Sequence, residues 1–102
     1  MPHLVPHLLL RANPDTPSEI AIALRDANYL VSRVDDDALA CALVGFEHID
    51  GVIVDLPPLD AANFSRKLAS APRRVPAVVV SSAHADHAEI VSYVDLLMAR
   101  SN

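Results

Sequence analysis

The chain has 102 residues, 52% of them hydrophobic, and a formal net charge of −5. That length suits one domain, and at this size folding buries roughly 65% of the extended-chain surface, so one core can form without staples. The composition is too apolar for a disordered tail, and the acidic balance disfavours broad binding to phosphate backbones. With 4% aromatic residues and no tryptophan, a stacking platform for bases or sugars is disfavoured. Cys41 is the only cysteine, which excludes an intramolecular disulfide and argues against a cysteine-based zinc site. No apolar run approaches the ~20 residues of a membrane span. The opening Met-Pro-His-Leu-Val-Pro-His segment lacks the basic stretch of a secretory signal and puts prolines where its helix would be. The expectation is a small, acidic, soluble cytoplasmic domain that binds neither nucleic acid nor membrane.

In chain order, His7 to Leu10 is a short apolar run, the first strand, stopping at Arg11. Thr16-Pro17-Ser18-Glu19 has the spacing of a capping box, with Thr at N-cap, Pro at the first helical position and Glu at N3. The helix it opens puts Ile20, Ala23, Leu24 and Ala27 on one face, and Asn28 can end it. Tyr29 to Val34 predicts the second strand. Asp35-Asp36-Asp37 follows, and a helix N-cap with first-turn acids accounts for at least two of these carboxylates. The second helix carries Leu39, Ala40, Leu43 and Val44 and is expected to end at Gly45. Ile49 to Leu56 is the clearest strand, since the β-branched run Val52-Ile53-Val54 suits burial on both faces of a parallel sheet. A helix is expected from Asp60 to Ser70, then a fourth strand over Val75 to Ser81, with Pro76 near its start where a missing ladder donor is tolerated. The last helix runs from Asp86 to Ala99, with Ile90, Val94 and Leu97 on one face flanked by Val91 and Met98. Four βα units in alternation predict an open parallel α/β sheet with right-handed crossovers.

Gly45 and Gly51 are the only glycines, which excludes a phosphate-cradling P-loop and a dinucleotide-binding glycine turn. In such sheets ligands bind beyond the carboxyl ends of the strands, which selects Arg11, Ala12, Asp35, Asp36, Asp55, Ser81 and Ser82. Asp55 weighs most: it closes the central strand, and a carboxylate there is costly to bury unless paired. It can cap or pair with Arg11, or serve as a phosphoacceptor or metal ligand. His84 and His87 have i,i+3 spacing with Asp86 between them, but a structural metal site normally needs four ligands. Ser82 and His84 are close in sequence, yet nothing orients them as nucleophile and base. Arg73-Arg74 reads as a solvated turn, and Cys41, beside Leu39 and Leu43, as a buried structural thiol. An enzyme is the last choice.

Asp50-Gly51-Val52-Ile53-Val54-Asp55-Leu56-Pro57-Pro58 and Val78-Val79-Val80-Ser81-Ser82-Ala83 together resemble two segments of the receiver domain of bacterial response regulators. The resemblance implies a flavodoxin-like fold with strand order 2-1-3-4, Asp55 at the phosphoacceptor position and Ser82 at the switch-hydroxyl position. The chain departs from the family pattern where an acidic pair would hold magnesium, reading Arg11-Ala12-Asn13 instead. No counterpart of the fifth βα unit and its lysine is present, and Lys67, the only lysine, falls on the third helix. Phosphoryl transfer depends on a metal and cations to stabilise charge on the transferring oxygens. The expectation is therefore a degenerate receiver, or pseudo-receiver, acting by protein contact in a bacterial regulator, with Arg11 satisfying Asp55 in place of a metal. No cofactor is expected. Magnesium enters only in the alternative, a phosphorylatable receiver. A weaker alternative is an anti-sigma-antagonist (STAS) domain, which requires an early antiparallel strand pair.

A sheet of order 2-1-3-4 leaves the fourth strand at an edge, and natural proteins avoid bare apolar edges. The surface made by Val78, Val80, Ile90, Tyr93, Val94, Leu97 and Met98 is therefore expected to meet a second copy or another domain. The reading leaves open that this domain is the N-terminal piece of a longer regulator.

Overall fold

A computed structural model describes residues 5–15, 19–71, 74–80 and 86–101. Its elements are β1 (His7–Ala12), α1 (Glu19–Asp26), β2 (Leu30–Val34), α2 (Asp37–Phe46), β3 (Gly51–Asp55), α3 (Pro58–Ala69), β4 (Ala77–Val79) and α4 (His87–Ser101). The strands form one sheet in the order β2-β1-β3-β4, and every pairing in it is parallel. This is an open α/β sheet of the flavodoxin-like kind. The parallel β1–β2 pair, joined through α1, removes the antiparallel start that the STAS alternative requires.

Side-chain parity along the strands divides the core in two. Leu8, Leu10 and Ala12 of β1, with Ile53 and Val78, face α1 and α4, where Ile20, Leu24, Ile90, Val94 and Met98 close the layer. Leu9, Val52 and Val54 face α2 and α3, packed by Ala40, Val44, Ala61, Phe64 and Leu68. A fully buried leucine is worth roughly 2 kcal/mol, so the covered runs Leu8-Leu9-Leu10 and Val52-Ile53-Val54 make β1 and β3 the hydrophobic centre of the sheet.

The helix ends follow local chemistry. Asp36 caps α2, its side chain accepting from the Leu39 amide at 2.8 Å. α1 ends in a Schellman arrangement: the amide of Tyr29 donates to the Leu24 carbonyl and that of Asn28 to Arg25. Asn28 takes the left-handed conformation this requires, with φ of 73°, which asparagine tolerates better than most residues. The expected cap at Thr16 lies outside the described residues.

Several boundaries differ from the sequence reading, three of them for a plain local reason. α2 continues one residue past Gly45, which has no positive φ, and Glu47 ends the helix in an extended conformation. α3 begins at Pro58, because proline costs nothing in a first turn whose amide has no helical acceptor. β4 spans three residues rather than seven, matching the register of Val52 to Val54 opposite it. No helix among the described residues is long and apolar enough to cross a membrane.

Candidate functional site

α1 packs on one face of the sheet and α2 on the other. The crossovers therefore diverge between β1 and β3, the topological switch point where ligands of open α/β sheets bind. Ala12 and Asp55 are register partners there. Both are buried, and Asp55 is not an unpartnered carboxylate.

Arg11 is not in a loop. β1 runs through it to Ala12, and the residue is only 8% exposed. Its parity is that of Leu9, so it leaves the sheet on the α2 and α3 face, whereas Asp55 shares the parity of Ile53 and belongs to the opposite face. The expected Arg11–Asp55 pair is therefore replaced by another. Nε of Arg11 donates to Oδ1 of Asp37 at 2.7 Å, and a terminal nitrogen donates to the Ala12 carbonyl at 3.1 Å. The guanidinium carbon sits 5.9 Å from the centre of the Phe64 ring, within cation–π range. The other oxygen of Asp37 accepts from Lys67 Nζ at 2.9 Å. One carboxylate in the first turn of α2 thus ties β1 to α3. Burial opposes its charge, but the hydrogen bonds from Lys67 and Arg11 and the charges of both cations outweigh burial and hold the Asp37 carboxyl below its ordinary range.

One turn further along α2, Cys41 packs against the same core layer. Burial, and then the Asp37 charge, push its thiol pKa up, with Lys67 opposing. Cys41 is half-buried rather than buried as the sequence suggested, and a raised thiol pKa leaves little thiolate there.

The remaining candidates separate. Asp35 is exposed at the tip of β2. Ser81, Ser82 and His84 lie outside the described residues. His87 turns to Glu19 at 3.5 Å. No group of three metal-ligating side chains converges among the described residues. A hard cation beside Asp55 needs carboxylate or carbonyl oxygens, and the neighbouring β1 terminus supplies an arginine bound elsewhere and the methyl group of Ala12. These residues do not fit magnesium.

Of the expected contact surface, Val78, Ile90, Val94 and Met98 are buried in the chain's own core, spent on packing α4 against the sheet. Val80 and Leu97 are half-buried against the same layer, and only Tyr93 of that set is largely exposed.

Sequence reasoning missed Asp37, Lys67 and Phe64 as partners of Arg11, since they come from two helices distant in the chain. It also missed a contact at the other end of the sheet, where His7 Nε2 lies 2.7 Å from Ser32 Oγ. Two adjacent strands bring these residues together with no local spacing to signal it. Asp50 accepts from the His7 main-chain amide at 2.8 Å and meets His48 Nε2 at 3.0 Å. The carboxylate therefore orients the backbone and a second histidine rather than the His7 ring, and a Ser-His-Asp relay is not formed. No known family model matches the chain, and no curated protein matches it.

Proposed function

We propose that this chain is a receiver-like signalling domain that acts by protein contact, without phosphoryl transfer. One observation carries the reading: at the switch point the β1 terminus presents a buried arginine committed to Asp37, where cation-dependent chemistry at Asp55 would need oxygen ligands. Phosphate on Asp55 would also lack the metal and lysine that neutralise transferring oxygens, since Lys67 is engaged on the other face by Asp37. Arg11, Asp37 and Lys67 then act as a fixed brace that keeps this end of the domain in one conformation.

A second reading, a phosphorylatable receiver, draws on the position of Asp55 at the carboxyl end of β3 beside the crevice. Amide spectra recorded while magnesium and then beryllofluoride are added separate the two. The contact reading expects the resonances of Asp55 and Ser82 to stay in place. Saturable magnesium-dependent shifts centred on those residues would establish the phosphorylatable reading instead.

A further inference from the structure

The two edges of the sheet are finished differently. Along β2, Leu30 donates to the Pro6 carbonyl on the β1 side, so alternate residues Val31 and Arg33 turn their main-chain groups outward. That edge is guarded: Arg25 donates to the outward carbonyl of Val31 at 3.2 Å, and Arg33 places a second charge on the strand. Charged residues on an edge are how proteins prevent unwanted strand pairing.

Among the described residues, no charged side chain guards the β4 edge. Val52 donates to the Pro76 carbonyl at 2.9 Å and Val80 to the Val54 carbonyl at 2.8 Å, so residues 76, 78 and 80 face β3. The amides and carbonyls of Ala77 and Val79 therefore point away from the sheet. The strand reads Ala-Val-Val, with no charge, and Val79 is 55% exposed.

α4 continues this surface. Ile90, Val94 and Met98 face the sheet, and Asp95 and His87 reach toward α1 through Tyr29 and Glu19. At 100° per residue, Tyr93 falls on the flank opposite Asp95 and Leu96 further round toward solvent, and they are 58% and 62% exposed.

We propose that β4 pairs antiparallel with β4 of a second copy about a two-fold axis at Val78, joining two four-stranded sheets into one of eight and bringing the Tyr93 flanks of α4 together. This rests on the contact reading and names the partner. The geometry is self-complementary, as an isologous interface requires. Pairing Ala77 with the partner's Val79, and the reverse, uses both outward donors and both outward acceptors of each strand. Small Ala77 meets larger Val79, Val78 meets its own copy, and no like charges are opposed in register. Specific interfaces bury about 1,000 Å² or more in total, and a three-residue strand pair with one helix flank is a small contact, so the dimer forms in the micromolar range or weaker.

Sedimentation of the full chain from low micromolar to near-millimolar concentration is expected to show mass rising toward twice the monomer. In the dimer the Ala77 and Val79 amides gain protection from hydrogen exchange. Val79→Lys, at an exposed position, should leave the circular dichroism unchanged and weaken association at least tenfold. Leu30→Lys, on the guarded edge, should leave association intact. A chain monomeric throughout, or a dimer that V79K spares, overturns the proposal, as does protection of these amides only by a different protein. The magnesium titration separates the two failures: a response at Asp55 would refute the contact reading and the role given to edge pairing, whereas a monomer with a silent titration would refute edge pairing alone.

Discussion

Asp37 is shared by two cations of unequal value. Arg11 is buried and approaches at 2.7 Å, whereas the side chain of Lys67 is 60% exposed. Removing Arg11 would leave Asp37 and the Ala12 carbonyl short of a partner in a poorly solvated place, so Arg11→Ala should cost about 2–4 kcal/mol. Lys67→Ala should cost about 0.5 kcal/mol, the scale of an exposed pair. Urea unfolding at neutral pH measures both, and equal losses would contradict the inequality. The lowered Asp37 pKa also has a signed consequence. The unfolded chain protonates this group first, near pH ~4, so its stabilisation is complete above that value and is lost as pH falls through the lower folded pKa. Asp37→Asn should therefore flatten the loss of stability below pH ~4. The sequence made Arg11 a site residue but ended the strand at Leu10, which hid the parity that turns its side chain from Asp55 toward Phe64. Asp37 was legible as a first-turn acid, and its second role required knowing that α3 lies beside α2.

Between elements, β3 and α4 fit closely at Gly51. A Cβ added at Gly51 would stand 2.6 Å from Met98 Cε and 3.2 Å from Leu8 Cδ2. Gly51 therefore serves close approach of a helix side chain to the sheet, and its backbone needs no unusual φ. The Met98 terminus is flexible and can move, so Gly51→Ala should cost about 1 kcal/mol rather than abolish folding. Met98→Ala alone should cost about 2–4 kcal/mol. In the double variant the alanine methyl occupies space that Met98 vacated, so the two costs should sum to more than the double variant loses. Additivity in a double-mutant cycle would show that the contact carries no strain. At this scale the sequence was informative where end chemistry is local: Asp36 at the start of α2 and Asn28 at the end of α1 act as their residue types suggest. It misled at Gly45, because glycine permits a helix end without requiring one. It also overextended β4, because a β-branched run records propensity while the partner strand sets length. The last helix was read with Leu97 on its core face, whereas the i, i+4, i+8 series Ile90, Val94, Met98 makes the contact and Leu97 sits at its margin.

For the molecule as a whole, the alternation of four strands and four helices was enough to give the parallel sheet with right-handed crossovers, whereas its order 2-1-3-4 came from the resemblance to receiver domains and agrees with the observed sheet. The candidate site was less legible, because it depends on which face each side chain takes and on contacts between residues far apart in the chain. The order β2-β1-β3-β4 has a consequence for how the chain is assembled in time. β1 is synthesised first yet lies in the interior, so one side of its backbone stays unpaired until Gly51 to Asp55 arrive. The β1–β3 junction is a seam between two βαβα halves, joined in sequence by the short segment 47–50, of which Ile49 is buried in the core. A fragment comprising residues 1–48 should be largely unstructured by circular dichroism, as should 49–102, and mixing them should recover the helical signal. A first fragment that folds alone would place the seam elsewhere. On the ribosome the leucines of β1 thus wait for β3, and the interval before β3 emerges is when this sheet is most vulnerable to misassociation.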